Sequence, residues 1–184
     1  GAPAVASLPS EHNGYVTYGC FNNLAKVNDA VIETWSRILH ADPAARLLLK
    51  AKQLGSDELR ASLLARFAGY SIGPERLELE GAGSYAEYLD TYARIDLALD
   101  PFPYTGGTTT AESLWMGVPV VTLRGDRFIA HQGESLMQAA SLNGMIAADT
   151  EAYVQLALSI AADRQALAEM RAGLRARVAT SALF

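Results

Sequence analysis

Short β-prone apolar runs alternate with amphipathic helical patterns along nearly the whole sequence, and this alternation limits the fold more than any other feature. Runs at residues 15–21, 46–49, 77–79, 95–99 and 120–123 read as strands. Helices are expected at 28–40, 56–68, 84–92, 109–116, 132–140, 151–162 and 164–178. Beside the first of these, Val27, Val31, Trp35, Ile38 and Leu39 share one face at the helical period. Ser56 is placed to cap the helix at 56–68. Gly117 closes the one at 109–116, and Pro119 keeps it from running into the next strand. Strands followed by helices require crossover connections, hence a mainly parallel sheet covered on both faces. Right-handed crossovers make the expected fold class α/β, a doubly wound Rossmann-like domain.

Such sheets bind ligands outside the carboxyl ends of their strands, so the loops after Phe21, Leu79, Leu99 and Leu123 are the ones that bear on function. The loop after the fourth run begins at Asp100 and continues through Gly106, Gly107, Thr108, Thr109 and Thr110 to Glu112. Its glycines let backbone approach a ligand closely, and its threonines supply hydroxyls and N–H groups at a helix start. Unpaired N–H donors and the positive end of a helix dipole suit phosphate. An ordinary glycine turn with a threonine cap accounts for the local pattern equally well. Glu112, one helical turn past Thr108, suits a ribose diol, or else simply complements the helix dipole. The loop after the first run offers Asn22, Asn23 and Lys26: two amides and a point charge, again at the ligand edge, or a solvated turn. Two phosphate-suited loops on one edge favour the functional reading.

Other classes are excluded. The loop is neither a Walker A sequence nor a GxGxxG fingerprint. No Cys/His cluster has metal-ligand spacing, and Ser113 and Ser135 lack an elbow or a base partner. His131 is assigned no catalytic role. Net charge is −5 with the basic residues scattered, which excludes a nucleic-acid stripe. No apolar run approaches the ~20 residues of a membrane span, and the start lacks a signal-peptide layout. Cys20 sits in an apolar run as a small buried hydrophobe, compatible with a reducing compartment, so a cytoplasmic location is expected. With 184 residues, half of them apolar, the chain has the size of one domain with a real core.

Three blocks together resemble the bacterial branch of the O-GlcNAc transferase/SPINDLY-like glycosyltransferases: residues 21–26, residues 100–112, and residues 114–123 from Leu114 to Leu123. The closing Ser181, Ala182, Leu183 and Phe184 resemble a Ser-Pro-Leu-Phe segment of that family. The resemblance implies a GT-B enzyme, in which two Rossmann-like lobes face each other across a cleft with TPR repeats upstream. Residues 15–184 would form the C-terminal lobe that holds most of the UDP-sugar, and residues 1–14 a linker from an upstream region. The terminal helix with which GT-B proteins cross back is expected to be absent. Lys26 then matches the diphosphate-contacting lysine tied to leaving-group stabilisation, and Asn23 stands for a phosphate-contacting glutamine. Thr108 and Thr109 match diphosphate-binding threonines, Glu112 an acidic ribose ligand, and Gly106 and Gly107 the loop around them. Gly107 replaces a histidine of animal members.

The uridine-facing segment after the third strand contains Gly83, Tyr85 and Tyr88, with Tyr85, Tyr88 and Thr91 where animal members carry a lysine, a histidine and an arginine. An aromatic ring there still stacks on uracil. The implied activity is inverting transfer of N-acetylglucosamine from UDP to Ser or Thr hydroxyls of a protein acceptor, with no cofactor and no metal. The isolated lobe is expected to bind UDP or UDP-GlcNAc and to be inactive without the N-terminal lobe. A GDP-fucose-dependent GT-B transferase and a non-catalytic nucleotide sensor are the alternatives.

Overall fold

The computed structural model describes residues 2–126 and 128–183; the expectations touching Gly1, Arg127 and Phe184 lie outside the described residues. Six strands form the sheet: β1 (Thr17–Cys20), β2 (Arg46–Lys50), β3 (Leu77–Glu80), β4 (Leu97–Leu99), β5 (Val120–Leu123) and β6 (Ile146–Ala147). Their order is β3-β2-β1-β4-β5-β6, and every neighbouring pair is parallel. Leu47, Leu48 and Leu49 of β2 are all buried, as expected of a strand covered on both faces. The chain winds outward from β1 to β3, then returns across β1 to place β4 on its other side. That reversal makes the gap between the carboxyl ends of β1 and β4 the topological switch point.

The helices are α1 (Ser10–Asn13), α2 (Asp29–Ala41), α3 (Asp57–Ala68), α4 (Tyr85–Thr91), α5 (Thr108–Trp115), α6 (Gln132–Ala139), α7 (Thr150–Ala162) and α8 (Arg164–Ala179). On one face α2, α3 and α7 bury Trp35, Phe67 and Tyr153. On the other, α5, α6 and α8 bury Leu114, Met137, Leu174 and Val178. The doubly wound α/β expectation is therefore met, with Ser56 accepting the Leu59 N–H as a cap and Gly117, at φ 81°, just past α5.

Two elements differ from the sequence reading. β6 is only two residues long, too short to display a period, and its pairing with β5 defines it. The segment expected as a linker contains α1, with Leu8 1% exposed and the Ser10 N–H donated to Asp96 Oδ1 at 2.9 Å. Asp96 also accepts the Thr17 N–H at 2.8 Å, so one buried carboxylate joins that segment to β1.

Arg171 of α8 supplies the complementary clamp. It is 1% exposed and donates to the carbonyls of Ala6, Ile95 and Tyr92 at 2.7, 2.8 and 3.0 Å. Burial pulls its pKa down to about 10, opposed by the charge of Asp96. Replacing Arg171 with Met leaves these carbonyls without their donors inside the protein. Equilibrium urea unfolding should show a loss of about 3 kcal/mol, in the range for a broken buried polar network.

Candidate functional site

The switch point brings together the loops that follow β1 and β4. After β1 the chain makes a tight turn, Leu24–Lys26, capped by Asn23, whose Oδ1 accepts the Ala25 N–H at 2.9 Å. The turn delivers the Lys26 ammonium to the other loop, where Nζ donates to the Thr105 carbonyl at 3.0 Å and to Asn22 Oδ1 at 3.4 Å. Lys26 thus bridges the two segments that the sequence marked separately. Asn23 faces differently: its Oδ1 also accepts from Gln53 Nε2 at 2.7 Å, which ties it to the turn after β2.

α5 starts directly beyond Thr105. Asn28, Ser56, Ser84, Asp149 and Asp163 cap α2, α3, α4, α7 and α8 with side chains, whereas α5 begins at Gly107 with no side-chain cap. Its first N–H groups therefore lack the local side-chain acceptor that those five helices have, a feature α5 shares with α1 and α6. Thr108 is exposed and Thr109 partly buried at this open end. Gly106 is buried, and a Cβ there would lie 2.4 Å from Thr110 Oγ1 and 3.0 Å from Asp100 Oδ1. A Cβ on Gly107 would lie 2.5 Å from Gln132 Nε2. At Gly106 a side chain would press on the short Thr110, Asp100 and Asn22 side chains, whereas at Gly107 only the far end of Gln132 would have to move.

Asp100 braces this loop from below. Its Oδ1 accepts the Gly106 N–H at 2.6 Å and its Oδ2 the Thr122 hydroxyl at 2.7 Å. Burial pushes its pKa up to about 7 despite these donors and the nearby Lys26 charge. Thr105 adds a further brace, accepting the Gly133 N–H at 2.9 Å from the start of α6. Beside it, the carboxylate of Glu134 holds both His131 Nδ1 at 3.1 Å and Arg124 Nε at 2.9 Å.

Glu112 gathers an aromatic cluster. Tyr85 and Tyr88 donate their hydroxyls to Glu112 Oε1 and Oε2 at 3.1 and 2.8 Å. The two rings stack with an interplanar angle of 19°, and Tyr85 is 65% exposed. Tyr92 links the cluster to α5 by donating to the Thr109 carbonyl at 3.2 Å. The Tyr88 pKa is raised by burial and then by the Glu112 charge, so this hydroxyl is a donor at neutral pH. Gly83 lies exposed before the capping box of Ser84 and Glu87 and belongs to the start of α4 rather than to the Glu112 cluster.

Lys26, Gly106, Gly107, Thr108 and Thr109 thus lie around the switch point, and one turn along α5 Glu112, with Tyr85, lines a cavity that Thr108 also borders. Thr105 and Asp100 are structural partners that the sequence did not single out, and Asn22, read there as a ligand-facing amide, accepts from Lys26. Asn22 and Asp100 share one available signal, since each lies within two residues of a strand's carboxyl end. Among the described residues no cluster of His, Cys, Asp and Glu is arranged to hold a metal ion, and no helix is long and apolar enough to cross a membrane.

Comparison with known proteins extends this picture. Residues 6–184 match the model of glycosyl transferase family 41. The chain is 39% identical over 183 residues to a probable UDP-N-acetylglucosamine–peptide N-acetylglucosaminyltransferase SPINDLY of Petunia hybrida, covering 99% of this chain and 20% of that protein. It is 40% identical over 181 residues to the corresponding protein of Oryza sativa subsp. japonica, covering 98% and 20%. The chain therefore spans about a fifth of the length of these relatives. A solved O-GlcNAc transferase of Thermobaculum terrenum superimposes with a TM-score of 0.87 at 37% identity, covering 92% of this chain and 33% of that one. The resemblance read from the three sequence blocks is upheld, and with a family match across almost its whole length this chain belongs to glycosyl transferase family 41.

Proposed function

We propose that this chain is the donor-binding lobe of an inverting protein glycosyltransferase that moves N-acetylglucosamine from UDP to Ser or Thr hydroxyls. The observation that carries this reading is the meeting of Lys26 with the uncapped start of α5 at the switch point. Support for the donor comes from the printed names of the plant relatives and from the solved O-GlcNAc transferase. The acceptor oxygen attacks the anomeric carbon from the face opposite UDP. As the bond to the diphosphate breaks, the departing oxygen gains negative charge. Lys26 and the N–H groups of Thr108 and Thr109 stabilise that charge in a preorganised setting, most strongly in the transition state. Protein groups thus supply the positive charge that a metal supplies in other transferases, and no cofactor is needed. A base comes from the facing N-terminal lobe or from the donor itself, and that lobe, the TPR region and the protein acceptor are the partners of this cytoplasmic domain.

Glu112 receives the ribose hydroxyls, which displace the Tyr85 and Tyr88 hydroxyls from its oxygens. Tyr85, exposed at the rim, is then available to stack on the base, with Gly83 beside it. Asn23 offers its amide N–H groups to the phosphate edge.

Calorimetric titration should give binding of one UDP per chain without added magnesium. Tight GDP binding with no detectable UDP binding would replace uridine by guanosine in this account. Replacing Lys26 with Ala removes a charge-assisted contact worth roughly 1.5–3 kcal/mol, so UDP affinity should fall about ten- to a hundred-fold. Its thermal midpoint should move by only a few degrees, because Lys26 is partly exposed. A variant that melts normally and binds UDP like the parent would remove Lys26 from the site.

A further inference from the structure

A buried carboxylate lies beneath the loop assigned above to a diphosphate, which opposes two charges of the same sign. Asp100 is 1% exposed. A Cβ on Gly133 would lie 2.6 Å from its Oδ2, and one on Gly106 3.0 Å from its Oδ1, so backbone closes on it from α6 and from the loop. No hydration shell fits there to screen the charge. The groups facing it from each neighbouring element are few. The turn after β1 brings Lys26, and β5 brings the Thr122 hydroxyl. The Cys20 thiol of β1 is pushed up to about 12 by burial, and the Tyr153 phenol of α7 is raised well above its usual range by burial, so both are neutral. Glu134 of α6 is paired with His131, the residue before that helix, and with Arg124.

We propose that Asp100 is a proton-linked positioning residue: seating a nucleoside diphosphate on residues 106–109 and Lys26 draws a proton from solvent onto its carboxylate, so that donor affinity falls as pH rises. This rests on the diphosphate reading of the site. Two effects act in the same direction. The ligand adds negative charge above Asp100, and it takes up the ammonium that partly offsets the Asp100 charge in the free protein. The free carboxyl, already raised to about 7 by burial, is poised to respond. The proton passes from buffer to Oδ2 and no other bond changes. Oδ1 still accepts from Gly106, while Oδ2–H donates to Thr122 Oγ1, reversing that one hydrogen bond. The loop thus keeps its brace in both protonation states. Asparagine reproduces the neutral form, with Oδ1 accepting and Nδ2 donating.

UDP-N-acetylglucosamine is the suitable probe, because neither of its phosphates titrates near neutral pH. Calorimetry at pH 7.5 in buffers of different ionisation enthalpy should show uptake of about half a proton per ligand. Affinity should weaken about fivefold between pH 7 and pH 9, the part that falls in this range of the effect of a one-unit rise in a carboxyl pKa near 7. Asp100→Asn should bind without proton uptake and with a flat profile over that range, whereas Asp100→Ala, which removes the acceptor for Gly106, should bind more weakly at every pH. If Asp100→Asn does not fold, the ¹³C signal of the Asp100 carboxyl in the parent protein reads the same event, moving to the neutral-acid position at pH 7.5 when ligand is added. Binding without proton uptake, an Asp100→Asn profile like the parent's, or an unmoved carboxyl signal overturns the inference and leaves the donor site standing. Uptake with GDP-fucose in place of the uridine donor sustains the inference and overturns the uridine reading, whereas no binding of either sugar nucleotide overturns both.

Discussion

The pairing of β1 with β4 is the contact on which the rest of the structure depends. Tyr18 pairs with Leu97 and Gly19 with Ala98, side by side and parallel, although α2, β2, α3, β3 and α4 all lie between them in the chain. Gly19 makes the approach possible, since a Cβ there would lie 2.6 Å from the Ile95 side chain. Once the two strands are adjacent, their following loops have one place to go. Lys26 and Thr105 meet because β1 and β4 do, and the open end of α5 is set by the same geometry. The arrangement of charge at the edge is therefore inherited from sheet topology rather than built by local sequence.

That edge is held by buried polar groups, and each has a partner that keeps its cost down. Trp35 Nε1 donates to the Tyr153 hydroxyl at 3.1 Å, and Tyr153 in turn donates to the Asp100 carbonyl at 2.8 Å. A chain of hydrogen bonds thus runs from the middle of α2 to the base of the loop after β4. Asp96 and Arg171 do similar work at the opposite end of β4, tying residues 2–14 and α8 to the sheet. Strand β4, only three residues long, is anchored at both ends by side chains far away in sequence. Rigid placement of the following loop is what a preorganised anion site needs.

Much of this was legible in the sequence, for identifiable reasons. The strand–helix alternation survives in the pattern because the central strands are buried on both faces and α2 carries a full apolar stripe. The placement of Lys26, Thr108 and Thr109 at the carboxyl edge of the sheet was legible because fold class alone says which loops lie there. The roles of Asn22, Thr105 and Asp100 were not, since each depends on a partner brought near by the β1–β4 pairing. Nor was the clasp of Tyr85 and Tyr88 on Glu112, where residues from α4 and α5 meet across 24 and 27 positions. The strand β6 and the helix α1 escaped for a simpler reason, being shorter than any periodicity they might have shown.

The loop after β4 is pinned at both ends and exposed between them. Asp100 is fixed through Tyr153, Gly106 and Thr122, and Thr105 through Lys26 and Gly133. Pro103 and Tyr104 form an elbow that stands out from these anchors, with Tyr104 55% exposed. Such a layout separates what has to be kept from what is at liberty to vary. A change of residue, or even of length, at the elbow leaves the hydrogen-bonded frame on either side as it is. One domain can in this way carry a changed rim without rebuilding the frame beneath.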